Sequence, residues 1–264
     1  MLFSLIEWVL ELVLNFRMAE RNLKTAMSAR NSPQLMMNAY NCGQYQNALA
    51  FCSAGMQCGM DLGVFQGDLL MQLGRFGDAE QVLTQALTRE TEPKSTALAH
   101  CCLGELFLVQ QRYEQAMRCF TTAQSLWPER GATFRSIAEV WLRRGDNPVE
   151  ALRYANLAVQ TEKAHQGIAP MTKVMNLGTE LATLAWAVAA TSRNATQVDR
   201  FVAEADSYGA GIPVTSIAQM HVYSGMAYAA IGDDAKRAQH FEAAARVDPN
   251  GVWGREAQAQ CVGV

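Results

Sequence analysis

The residues able to do chemistry are few and widely spaced. Metal ligation or nucleophilic catalysis would have to draw on four histidines (His100, His165, His221 and His240) and seven cysteines (Cys42, Cys52, Cys58, Cys101, Cys102, Cys119 and Cys261). Zinc sites group such residues at short, regular spacing. Here no Cys-x-x-Cys pair occurs, and the one close combination, His100 followed by Cys101, is too tight to chelate by itself. An odd count at irregular spacing argues against a disulfide framework. Free cysteine is usually a small buried hydrophobe, which suits a reducing compartment. Glu7 and Glu11 stand four residues apart on one helix face, and a solvated stripe explains them better than acid–base work. Gly-x-Ser-x-Gly, His-Glu-x-x-His and phosphate-cradling Gly-rich loops are all missing from the sequence. No catalytic residue, metal ligand set or cofactor is expected, and the chain reads as a non-enzyme.

The elements that hold these residues are helices. Half of the 264 residues are apolar and 18% are charged, which is ample for a core. Ala, Leu, Gln and Met, all good helix formers, are abundant, and the seven prolines fall mostly where a helix should start or stop. The formal net charge is −3. The five lysines, Lys24, Lys94, Lys163, Lys173 and Lys236, form no stripe, which excludes nucleic acid as the main partner.

Residues 97–130, ALAHCCLGELFLVQQRYEQAMRCFTTAQSLWPER, are the clearest internal unit. His100, Leu103, Gly104, Phe107, Tyr113, Ala116, Phe120, Ala123 and Pro128 carry its pattern. On these residues the unit resembles a tetratricopeptide repeat; only Gln111, at a glycine position of that pattern, departs clearly. The pattern has a physical cause. Gly104, Ala116 and Ala123 are small where two helices touch, the large residues fill the space between hairpins, and Pro128 ends the unit. His100 and His221 fall where a large packed residue belongs. Gly131, in a link, is expected to accept a side chain more easily than Gly104.

Further copies follow at near-constant spacing, as repeat arrays require. They are marked by Gly43, Tyr45 and Ala48 near 29–62, and by Gly67, Gly74, Phe76, Ala79, Leu83 and Ala86 near 60–93. Trp141, Gly145, Ala151 and Ala158 mark the unit after Pro128. Leu184, Ala185 and Val188 mark one near 178–211, and Gly225, Tyr228, Gly232, Phe241, Ala244 and Pro249 one near 218–251. The resemblance implies an all-α, right-handed α-solenoid of antiparallel helical hairpins, about six units over 29–251, with an extra N-terminal helix. Residues 161–178 read as a loop interrupting the array, 208–215 as a second break, and 252–264 as a C-terminal cap or tail.

Residues 1–28 form an apolar to amphipathic helical segment in this reading. Ser4, Glu7, Glu11 and Asn15 share one face, and Leu2, Leu5, Ile6, Trp8, Val9, Leu12, Val13 and Phe16 cover the rest. A secretory signal fits poorly, because no early Lys or Arg occurs and two glutamates interrupt the run. A cap on the array and a membrane contact through residues 1–18 both stay open. The expected location is cytoplasmic, free or peripheral to a membrane, and the oligomeric state is not legible.

In the family, the first helix of each hairpin lines a concave groove. By that resemblance the partner-binding residues are Tyr40, Asn41, Asp68, Met71, Gln72, Glu105, Leu108, Arg135, Glu139, Leu142, Arg143 and Trp186. Asp68, Glu105 and Glu139 occupy equal places in successive units, so an acidic line is expected to attract a segment with Lys or Arg between apolar anchors. The implied function is a protein–protein interaction scaffold that binds a peptide or partner protein, with a membrane-associated assembly or secretion accessory as the alternative.

Overall fold

The computed structural model describes residues 31–262 apart from residue 168, and the helical segment expected over 1–28 lies outside the described residues. Thirteen α-helices and no strand occur among the described residues: α1 Ser32–Asn41, α2 Tyr45–Gln57, α3 Gly63–Gln72, α4 Phe76–Arg89, α5 Pro93–Val109, α6 Tyr113–Leu126, α7 Gly131–Arg144, α8 Pro148–Ala164, α9 Pro170–Ser192, α10 Ala195–Asp206, α11 Val214–Ile231, α12 Asp234–Val247 and α13 Val252–Val262. The first twelve pair as six antiparallel hairpins, so the chain is an all-α helical repeat solenoid.

Local signals set the helix starts. Pro33, Pro93, Pro148 and Pro170 each stand in a first turn, where a missing N–H costs nothing. The side chains of Glu92, Asn147, Asn194 and Asp233 accept from free N–H groups at the starts of α5, α8, α10 and α12. Within hairpins one contact recurs. A Cβ on Gly67 would fall within 2.4 Å of Leu83, on Gly104 within 2.6 Å of Phe120, and on Gly225 within 2.8 Å of Phe241. The glycine lets the second helix press its large side chain against backbone. Phe120, Ala116 and Ala123 are fully buried as a result.

The turn inside a hairpin needs a left-handed residue. Glycine makes it at Gly74 (φ +75°) and Gly145 (φ +71°), but Gln111 (φ +59°) makes it between α5 and α6, and Arg193 (φ +51°) after α9. The one departure of the clearest unit from its family pattern is therefore a side chain held in a glycine conformation, stored strain of about 1 kcal/mol.

Two expectations need correction. The interruption over 161–178 shrinks to the link 165–169, because α8 continues to Ala164 and Pro170 opens the 23-residue α9. Gly167 and Pro170 suggested a long loop, yet proline in a first turn starts a helix. Gly131 is also not in open link space. It is the first residue of α7, and a Cβ there would meet Glu180 Oε1 at 2.7 Å, the Ala158 carbonyl at 2.8 Å and Glu162 Oε2 at 2.9 Å. The break before α11 is present, running from the end of α10 at Asp206 to Val214.

The two ends of the described array meet. Tyr45 of α2 donates to Asp248 Oδ2 at 2.7 Å in a buried contact. The Val252 N–H donates to Gln72 Oε1 at 3.1 Å, and Arg255 donates to the Gln72 carbonyl at 2.9 Å. The solenoid thus closes through α13 and the turn before it.

Candidate functional site

The first helix of every hairpin, with α13, surrounds one cavity of about 330 Å³. Met36, Tyr40 and Asn41 come from α1, Phe65, Asp68, Met71 and Gln72 from α3, and Cys102, Glu105, Leu108 and Val109 from α5. α7 gives Arg135, Glu139 and Arg143; α9 gives Met175, Asn176 and Thr179; α11 gives Thr215, Ser216 and Gln219; α13 gives Val252 and Trp253. Equal positions of stacked hairpins repeat along one surface, so residues far apart in sequence converge here.

Ten of the twelve residues expected from sequence line this cavity: Tyr40, Asn41, Asp68, Met71, Gln72, Glu105, Leu108, Arg135, Glu139 and Arg143. Leu142 and Trp186 lie outside it. Leu142 is packed in the core, while Trp186 stacks on Tyr223 with ring centroids 6.0 Å apart. Met175, Asn176, Thr179 and Trp253 escape the sequence reading for identifiable reasons. Met175 and Asn176 sit where a loop was expected, Thr179 sits at the very start of the unit near 178–211, and α13 lies beyond the last repeat. Phe65 went unnoticed although it is nearly half exposed at the cavity wall, at 47%.

The acidic line does follow one wall, but it is not a free negative surface. Glu139 is 1% exposed and fully engaged. Its Oε1 accepts from Arg143 Nε at 2.7 Å; its Oε2 accepts from the Tyr223 hydroxyl at 2.5 Å and from Arg135 Nη1 at 3.4 Å. Arg135 also donates to Tyr223 at 2.9 Å and to Glu105 at 3.3 Å, and Arg143 makes a forked pair with Glu256 of α13 at 2.8 and 3.0 Å. Two arginines, which the sequence reading placed in the groove without a role, therefore neutralise two of the three carboxylates and tie α13 to α7. A fork of this kind fixes geometry as well as charge.

Desolvation governs titration in the wall. Burial raises Asp68, against hydrogen bonds from Tyr40 and Gln72 that pull it down. Burial also raises Glu105, with Arg135 opposing and Asp68 reinforcing the shift. Tyr40 is raised by burial and then by Asp68, and Tyr223 by burial and then by Glu139. Asp68 and Glu105 are thus the carboxyls of the wall that keep hydrogen-bonding capacity for a ligand, since Glu139 is saturated. Arg130, from the turn before α7, is the further cation in the lining.

A second carboxyl pair lies behind the wall. Glu162 accepts from Asn176 at 2.9 Å through Oε1, while its Oε2 and both oxygens of Glu180 have no hydrogen-bond partner among the described residues. Burial and then the neighbouring Glu162 raise Glu180 well above the usual carboxyl range, against Arg135 and Arg130.

Comparison with known proteins agrees with this architecture. The family model described as Tetratricopeptide repeat matches residues 66–118 and 101–166. Among solved structures, pilF of Pseudomonas aeruginosa is 16% identical and covers 90% of this chain and 99% of its own, with a TM-score of 0.51. BtubC from P. vanneervenii is also 16% identical, covering 87% and 90%, with a TM-score of 0.48. YrrB, a tetratricopeptide-repeat protein with an unusual peptide-binding site, is 18% identical over 75% of this chain and 90% of its own, with a TM-score of 0.40. No curated protein matches the chain.

Proposed function

We propose that this chain, whose residues 66–118 and 101–166 match the tetratricopeptide-repeat model, is a non-catalytic docking scaffold whose ligand is a short peptide segment of a partner protein, seated in the cavity. One observation carries this reading: the first helices of all six hairpins converge on a single walled cavity, with α13 across it. A volume of about 330 Å³ suits a few inserted side chains and not a folded domain. Met36, Met71, Leu108, Val109 and Met175 offer an apolar seat, and methionines adapt to irregular shapes. Asp68 and Glu105 accept hydrogen bonds beside that seat, so the favoured segment carries an apolar anchor next to Lys or Arg.

Peptide display against the full chain tests this. Selected peptides are expected to share an apolar anchor with a neighbouring Lys or Arg. Asp68→Asn with Glu105→Gln should weaken them most at low salt, because charges at a rim act mainly on association. Phe65→Ser should speed release. Peptides that bind both variants as well as the parent would move the docking surface elsewhere.

The second reading, a membrane-associated accessory, rests on the apolar run between Leu2 and Phe16. No helix among the described residues is long and apolar enough to cross a membrane. Detergent-free fractionation of the full chain against a chain beginning at Met18 separates the two readings.

A further inference from the structure

Away from the cavity, the geometry points to a divalent transition-metal site of the zinc type, built by Asp206, His221 and His240. Asp206 ends α10, His221 lies in the first half of α11, and His240 at the middle of α12. The antiparallel packing of α11 on α12 brings the two imidazoles together, with Nδ1 atoms 3.1 Å apart. Asp206 Oδ1 stands 4.0 Å from His221 Nδ1, and one donor atom from each residue lies within 4.8 Å of the other two.

Ligands bound to zinc at about 2.0–2.2 Å in a tetrahedron stand roughly 3.3 Å from one another. The two nitrogens already have that separation. The carboxylate is slightly far, but Asp206 is exposed and its side chain is free to swing inward. Two imidazoles and one carboxylate select zinc, cobalt, nickel or copper over magnesium and calcium, which prefer oxygen alone. Three protein donors leave a fourth position for water on the exposed side.

The surroundings fit a cation. The His240 ring is fixed by stacking on Tyr228, with centroids 5.4 Å apart. Lys236, the nearby ammonium, is drawn off to Asp199 at 2.6 Å. A hydrogen bond between the two imidazoles, with Asp206 as a counter-ion 4.0 Å from His221, also gives a 3.1 Å contact, and the titration below separates it from a metal site. A bound ion would staple the end of the fifth hairpin to both helices of the sixth. The sequence offered no such signal, because each ligand sits on a different helix and both histidines fall in packed, periodic stretches.

The test uses the full chain, stripped with a chelator and titrated with Zn²⁺ by calorimetry and with Co²⁺ by visible absorption. One equivalent should bind, with tetrahedral cobalt bands and no sulfur-to-cobalt charge transfer. His221→Ala should abolish this binding, and Asp206→Ala should weaken it at least about tenfold. Asp206 is exposed at a helix end, so that variant decides the matter if His221→Ala does not fold. Zinc should raise the melting midpoint of the parent and leave that of His221→Ala unmoved. Failure to bind one equivalent overturns the site. Equal binding by parent and Asp206→Ala, or a thiolate charge-transfer band showing that cysteines hold the ion, does so as well.

Discussion

Replacing Glu139 by glutamine should unfold this protein at markedly lower temperature, although a residue lining a binding groove would ordinarily tolerate the change. Glu139 is essentially excluded from solvent and accepts from Arg143, Tyr223 and Arg135 at 2.7, 2.5 and 3.4 Å. Removing one partner of a buried charge pair costs about 3–5 kcal/mol, because the remaining charges are stranded. Two features hold the cost near the lower end. Glutamine keeps one oxygen to accept a hydrogen bond, and both arginines keep a second carboxylate, Glu105 for Arg135 and Glu256 for Arg143. About 3 kcal/mol corresponds to a melting shift of about 6–12 °C at this chain length. Glu105→Gln is the control. Its pair with Arg135 is longer, at 3.3 Å, and its side chain is 32% exposed, so about 1 kcal/mol or less is expected. Calorimetry or circular dichroism melts of both variants decide the matter. Equal shifts, or a Glu139→Gln midpoint within a degree of the parent, would show that the buried network does not hold α7, α11 and α13 together.

Other consequences are as direct. Gly104→Ala should destabilise by about 1–3 kcal/mol, since its Cβ would lie 2.6–2.9 Å from the Phe120 ring, whereas Gly77→Ala, with open space at the same distance, should stabilise by about 0.5–1 kcal/mol through helix propensity; denaturant melts read both. Gly131→Ala should resemble Gly104→Ala and not Gly77→Ala, because three oxygens stand within 2.9 Å of its Cβ position. Glu180 is raised in the native state, so the folded chain binds more protons than the unfolded chain, and stability falls as pH rises from about 4.3 through the raised native value. Glu180→Gln removes that penalty, so its stability advantage should grow with pH and reach about 1–3 kcal/mol at neutrality, measured as melting midpoint against pH.

Much of the site was legible because repeats convert a local pattern into a spatial one. Once Gly104 and Phe120 fix the register of one hairpin, Asp68, Glu105 and Glu139 must fall on one side of the stack, and all three line the cavity. The errors came where register was lost. Met175 and Asn176 were hidden in a stretch whose Gly167 and Pro170 looked like a loop, and Thr179 and Trp186 belong to the unit near 178–211, which only Leu184, Ala185 and Val188 mark. Phe65 precedes Gly67 by two residues on α3, and no small or aromatic marker distinguishes it.

The sequence by itself determined the helical hairpins, their number and, for α1, α3, α5 and α7, the face the first helix turns inward, because these follow from periodicity, from proline and capping side chains at helix starts, and from glycine or alanine at close contacts. Such features act over a few residues. Only the tertiary structure decided that the ends of the described array meet through Tyr45, Gln72 and Asp248, so that the concave side becomes a cavity and not an open trough. Only it paired Arg143 with Glu256 and gathered Asp206, His221 and His240. These contacts join residues brought near one another by the small rotation at each hairpin, summed over the whole stack, and no local spacing encodes that sum.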